Sequence, residues 1–156
     1  RVIIKNLRGH TPAANRVANA LEQGKIEINI IENDKFNKIM IEEDGYKLSE
    51  AIEVNAYAQG EVMTFRSARK VEDFMLDLVH EGTHALDNLE VEKLIRNQGY
   101  DVYDAYYVLG NNWAWEKRAY FAERAFELSA FGKANPEVGT IDELIKHVEK
   151  NYLKQH

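Results

Sequence analysis

Residues 78–87 read Leu78-Val79-His80-Glu81-Gly82-Thr83-His84-Ala85-Leu86-Asp87. His80 and His84 stand four residues apart, so on a helix they lie one turn above each other on one face. Two imidazoles so placed reach one metal ion, while Glu81, offset round the turn, reaches a water on that ion. The flanking sequence predicts the helix this requires, from Ala68 to Asn88. Val71, Phe74, Met75, Leu78, Val79, Gly82, Ala85, Leu86 and Leu89 repeat at three-and-four spacing as a buried face. Asp73, Asp77, His80, Glu81, His84 and Asn88 fall on the other side. The competing interpretation is a solvated helix face on which two histidines align by chance. The two-sided helix and the slim Gly82 and Ala85 argue against it.

Two histidines leave zinc short of a third protein ligand. No Gly-x-x-His follows His84, and His10, His147 and His156 read as surface residues. A carboxylate remains. Glu116 opens a Glu-x-x-Ala segment early in a later helix, where the small Ala119 permits close approach to the first. Glu123, two turns further on, competes with it, either as the ligand or as an acceptor holding a histidine in its metal-binding tautomer. Spacing favours Glu116 and keeps Glu123 as the alternative. Asp87 either orients a ligand or caps the helix.

Before the motif, the chain begins with a lead-in segment or short strand over residues 1–12. Thr11-Pro12 starts a helix running to about residue 23, with Gly24 as its stop. Alternating Ile26, Ile28 and Ile30 predict a strand, Asn33-Asp34 a turn, and Lys38–Glu42 a second strand. Ala51–Tyr57 and Glu61–Arg66 read as two more strands joined through Gln59-Gly60. Past the motif, residues 97–112 carry Tyr100, Tyr103, Tyr106 and Tyr107 in a connection. A long helix covers Trp113 to Phe131, Gly132 and Pro136 end it, and Thr140-Ile141-Asp142-Glu143 opens a last one. The class is α+β, a single domain over 1–156: a helix and a small mixed sheet packed on the central helix, then a helical C-terminal half.

The composition narrows the functions. A net charge of -6 argues against a nucleic-acid or anionic-membrane surface. No cysteine is present, which excludes thiolate metal sites and a cysteine nucleophile. No run is long and apolar enough for a membrane span, and no signal peptide is evident. The start at Arg1 rather than Met is the expectation for an excised or processed domain.

From Leu78 onward the chain resembles the zincins of the glutamate type, and is similar to the catalytic domain of anthrax lethal factor. The residues concerned are Val79-His80-Glu81-x-x-His84-Ala85-x-Asp87, the tyrosine-bearing connection, and Tyr120-Phe121-Ala122-Glu123-x-Ala125-Phe126. It also resembles metallopeptidase toxin modules at the ends of large secreted bacterial proteins. The resemblance implies a zincin-like fold and a zinc endopeptidase, with Zn2+ on His80, His84 and a helix glutamate, and Glu81 as base.

The expected activity is peptide-bond hydrolysis. Glu81 takes a proton from the attacking water and delivers it to the leaving amine. Tyr103, Tyr106, Tyr107 or Tyr120 serves as oxyanion donor. An extended peptide lies on the Glu61–Arg66 strand by strand addition. The partners are a protein or peptide substrate and a neutralising (immunity) protein. The expected location is within a larger secreted effector acting inside a target cell, with a cytoplasmic stand-alone peptidase or a non-catalytic metal-retaining module as alternatives.

Overall fold

The computed structural model describes residues 2–132 together with Ile145, Lys146 and Glu149. Of the helix expected from Thr140 onward, only Ile145, Lys146 and Glu149 are among the described residues, and these are helical. The class is α+β, with seven helices and one three-stranded mixed sheet among the described residues.

The chain opens with helix α1, Val2–Leu7, where a lead-in segment or strand is expected. Val2-Ile3-Ile4 is a β-branched run, but packing overrides propensity: Ile3, Ile4 and the fully buried Leu7 join the main core from one helical side. Helix α2, Pro12–Glu22, starts as its sequence dictates, with Thr11 Oγ1 accepting from the Ala14 amide at 3.1 Å and Pro12 in the first turn. Ala14, Val17, Ala18 and Ala20 are buried.

Strand β1, Glu27–Ile31, follows as expected. The next stretch does not. Helix α3, Asn33–Asp44, replaces the Asn33-Asp34 turn and the Lys38–Glu42 strand. Ile39 and Ile41 alternate like a strand, yet Phe36 and Met40, four apart, are the residues buried, which is helical spacing. Gly45, at φ 73°, ends this helix in the left-handed region. A short helix α4, Leu48–Ala51, takes the start of the expected Ala51–Tyr57 strand. Only Ala56–Gln59 (β2) is extended, and it turns into β3, Val62–Arg66.

The strand order is β1-β3-β2, with β1 parallel and β2 antiparallel to β3. Parallel pairing of β1 with β3 requires a long crossover, and α3 and α4 lie within it. The expectation that Glu61–Arg66 offers a free edge is therefore corrected: β3 is the middle strand, with Met63 to Arg66 buried. Arg66 ties the crossover to the sheet, donating from Nε to the Val54 carbonyl at 2.6 Å and lying 4.3 Å over the Phe36 ring.

Helix α5, Val71–Gln98, carries the motif and runs ten residues beyond the expected end at Asn88. Ion pairs Glu90–Lys93 and Glu92–Arg96 lie along the extension, and Gly99 stops it at φ 71°. Met75, Leu78, Val79, Gly82 and Ala85 form its buried stripe, whereas Val71 is exposed. A Cβ at Gly82 would meet the Val17 methyls at 2.7 and 2.8 Å, so glycine here sets how closely α2 approaches. Helix α6, Val102–Val108, occupies the tyrosine-bearing connection. Helix α7, Asn112–Phe131, is capped by Asn111, whose side chain accepts from the Ala114 amide at 3.0 Å, and ends at Gly132. No described helix is long and apolar enough to cross a membrane.

Candidate metal centre

Helices α5 and α7 pack against each other, and each contributes a polar stripe to the seam. On α7, Trp115, Ala119, Ala122 and Phe126 are buried at spacings of four, three and four. Ala119 is fully buried and adds no bulk at the crossing. The neighbouring stripe, Glu116, Tyr120 and Glu123, has the same helical spacing and meets His80 and His84.

Glu116 reaches both histidines. Its Oε2 lies 3.3 Å from His80 Nε2, and its Oε1 lies 2.9 Å from His84 Nε2. Glu123 instead stands at the opposite ring nitrogen, with Oε1 3.1 Å from His80 Nδ1. An ionised carboxylate only accepts, so this contact places a proton on Nδ1 and turns Nε2 towards Glu116. The Tyr120 ring packs edge-on against His80, centroids 4.6 Å apart, and restricts its rotation. The two glutamates thus occupy different places around His80.

The donor set fits a zinc ion. Two imidazoles and a carboxylate are donor types that zinc takes, and Glu116 presents Oε2 to His80 and Oε1 to His84. Glu116 Oε2 is buried and has only the 3.3 Å contact with His80, which a coordinated cation would supplement. His80, Glu81 and His84 each offer a ligand atom within 4.8 Å of the others. Glu81 is a nine-tenths buried carboxylate that makes no hydrogen bond or ion pair among the described residues.

Charge and burial shape the titration of these groups. Burial alone would lower the His80 pKa, but the contacts with Glu116 and Glu123 and the nearby Glu81 charge outweigh it and raise the value well above 6.5. Burial works to raise Glu116, yet the two histidines overcome it and hold its carboxyl at about 2. Glu81 is raised, chiefly by burial, with the histidines opposing. Asp77, one turn before His80, is raised to about 6 by burial despite its 3.1 Å pair with Arg69.

Other expected roles fall differently. Arg118 Nε donates to Asp87 Oδ2 at 3.0 Å and Arg118 Nη1 to the Leu109 carbonyl at 2.7 Å, so Asp87 links the helices and does not hydrogen-bond a histidine. Tyr103 and Tyr107 are exposed and line neither cavity beside Glu81. Tyr106 lines a cavity with Glu81, His84 and Glu116, and Tyr120 lines one with His80, Glu81, Glu116 and Glu123. His10 packs its ring against Phe126, and His147 and His156 lie outside the described residues. Asp77 was legible as a member of the polar face of α5. Arg118, 31 residues from Asp87, had no local signal.

In comparison with known proteins, no protein-family model, curated protein or solved structure matches the chain.

Proposed function

We propose that this chain is a zincin-like, zinc-dependent peptidase. The observation that carries it is the convergence of His80 Nε2, His84 Nε2 and the Glu116 carboxylate, at 3.3 and 2.9 Å, beside the unpaired buried Glu81. His80, His84 and Glu116 would hold the ion, and Glu123 would fix the His80 tautomer. Zinc, when bound there, supplies a Lewis acid for the scissile carbonyl and acidifies the attacking water.

The remaining work falls to the chain's own side chains. Glu81 accepts the water proton and returns it to the leaving amine, and its burial moves its pKa towards the range in which it can do both. Tyr106 and Tyr120 are the tyrosines placed to donate to the oxyanion, one on each side of Glu116. The peptide lies along the edge of β2, since Ala56 lines one of the two cavities beside Glu81 and Tyr57 and Ala58 line the other. Main-chain bonds to that edge would set its direction. The resemblance to toxin modules supports a role as cargo of a larger secreted protein, with a neutralising protein as partner.

The test is hydrolysis of a quenched fluorescent peptide library by metal-stripped protein, before and after adding one equivalent of zinc. Zinc-dependent cleavage supports the reading. Stoichiometric zinc binding with no cleavage of any peptide would favour a non-catalytic metal-retaining module.

A further inference from the structure

We propose that the cavity on the His80 side of this site selects a lysine or arginine side chain next to the cleaved bond. The inference rests on the peptidase reading and adds the substrate class. The cavity has a volume of about 380 Å³ and is walled by Tyr46, Glu53, Asp77, Tyr120 and Glu123 beside Glu81. No lysine or arginine among the described residues lines it.

The acids differ in how far they are already compensated. Asp77 is paired with Arg69 and Glu123 with His80. Glu53 makes no side-chain hydrogen bond or ion pair among the described residues, and neither does the nine-tenths buried Glu81 that faces the same cavity. Glu53 is exposed and Glu81 buried, and unpaired carboxylates that face one cavity favour a cation there. Tyr46 and Tyr120 supply aromatic surface, which suits the stem and charged head of a long basic side chain.

The cavity on the other side of Glu81 has a different character. It measures about 280 Å³ and is lined by Tyr57, Tyr106, Trp115, His84 and Asn88, with Glu81 and Glu116 its acids. Val54 to Ala56 border the first cavity, and Tyr57 and Ala58 the second. A peptide on the β2 edge therefore passes from an acidic compartment to an aromatic one across the scissile bond. Charge selection is confined to one side of the cut.

The experiment profiles cleavage sites in a mixed peptide library with the zinc-loaded protein, then measures kcat/KM for matched peptides. The expected result is Lys or Arg at one position flanking the cut, preferred about tenfold over Gln and more over Glu, with the preference shrinking as salt rises. Glu53→Lys should reduce that preference several-fold, read as the ratio of kcat/KM for the Lys peptide to that for the matched Gln peptide. Cleavage with no cationic preference at either flanking position, or a preference untouched by Glu53→Lys, overturns this proposal alone. Failure to cut any peptide removes the peptidase reading and this proposal with it.

Discussion

Two of the polar links between α5 and α7 are built on opposite principles. In one, Asp87 meets Arg118, which also donates to the Leu109 carbonyl, so a single negative charge meets a single positive one. In the other, one turn back along α5, Glu116 and Glu123 surround His80, Glu116 also reaches His84, and the Glu81 carboxylate lies next to them unpaired. Neutral imidazoles leave this second link with surplus buried negative charge. A proton on His80 offsets part of it in the metal-free protein, and a divalent ion would offset it otherwise. A link that closes on itself fastens helices; one left short of positive charge is suited to binding. The two should therefore respond differently to the same perturbation.

The largest difference is expected from Glu81→Gln. It should leave zinc stoichiometry unchanged, as measured by inductively coupled plasma mass spectrometry, and lower kcat by roughly 10²–10⁴-fold. Full activity in this variant would contradict the role given to Glu81.

Next is the pH dependence of the metal-free protein. The Glu116 carboxyl is held at about 2 against an ordinary 4.5, so its contribution is present above about pH 4.5 and is lost as pH falls towards 2. His80 is raised above its ordinary 6.5, so its contribution is complete below that value and fades as pH rises through its folded pKa. Urea midpoints of the chelated protein should therefore be highest between about pH 4.5 and 6.5, and Glu116→Gln should flatten both limbs. Midpoints that do not vary with pH would remove the ionic account of this link.

Glu123→Ala should weaken zinc binding about 10–100-fold, by releasing the His80 tautomer, as measured by competition with a chelating dye. Unchanged affinity would mean that Glu123 does not orient His80. Arg118→Ala is predicted to act on the fastening link instead, costing about 1–3 kcal/mol of unfolding free energy with zinc affinity little changed. A loss of zinc of the same size as that of Glu123→Ala would merge the two links into one.

The parts that the sequence made legible are those whose information is local. The stripe from Met75 to Ala85, the Asn111 cap and the Gly132 stop mark α5 and α7 because spacing, capping and left-handed glycines act within a few residues. Glu116 was legible through its own turn, since Ala119 three residues on is what lets α7 approach. The crossover was not. Lys38–Glu42 satisfies a strand alternation and a helical Phe36–Met40 pair at once, and burial against the sheet, a non-local fact, selects the helix. The central place of β3 likewise depends on β1 pairing with it from 35 positions away in register. Arg118 and Asp87, and the turn of the β2 edge towards Glu81, arise only once the helices have packed.

The most direct test of the central claim is anomalous diffraction at the zinc edge from crystals of the unmodified chain grown with zinc. The account predicts one peak per chain, about 2.0–2.2 Å from His80 Nε2, His84 Nε2 and a Glu116 oxygen, with Glu81 outside the coordination sphere. No peak at this seam, or a peak coordinated by Glu81 with Glu116 turned away, would contradict it.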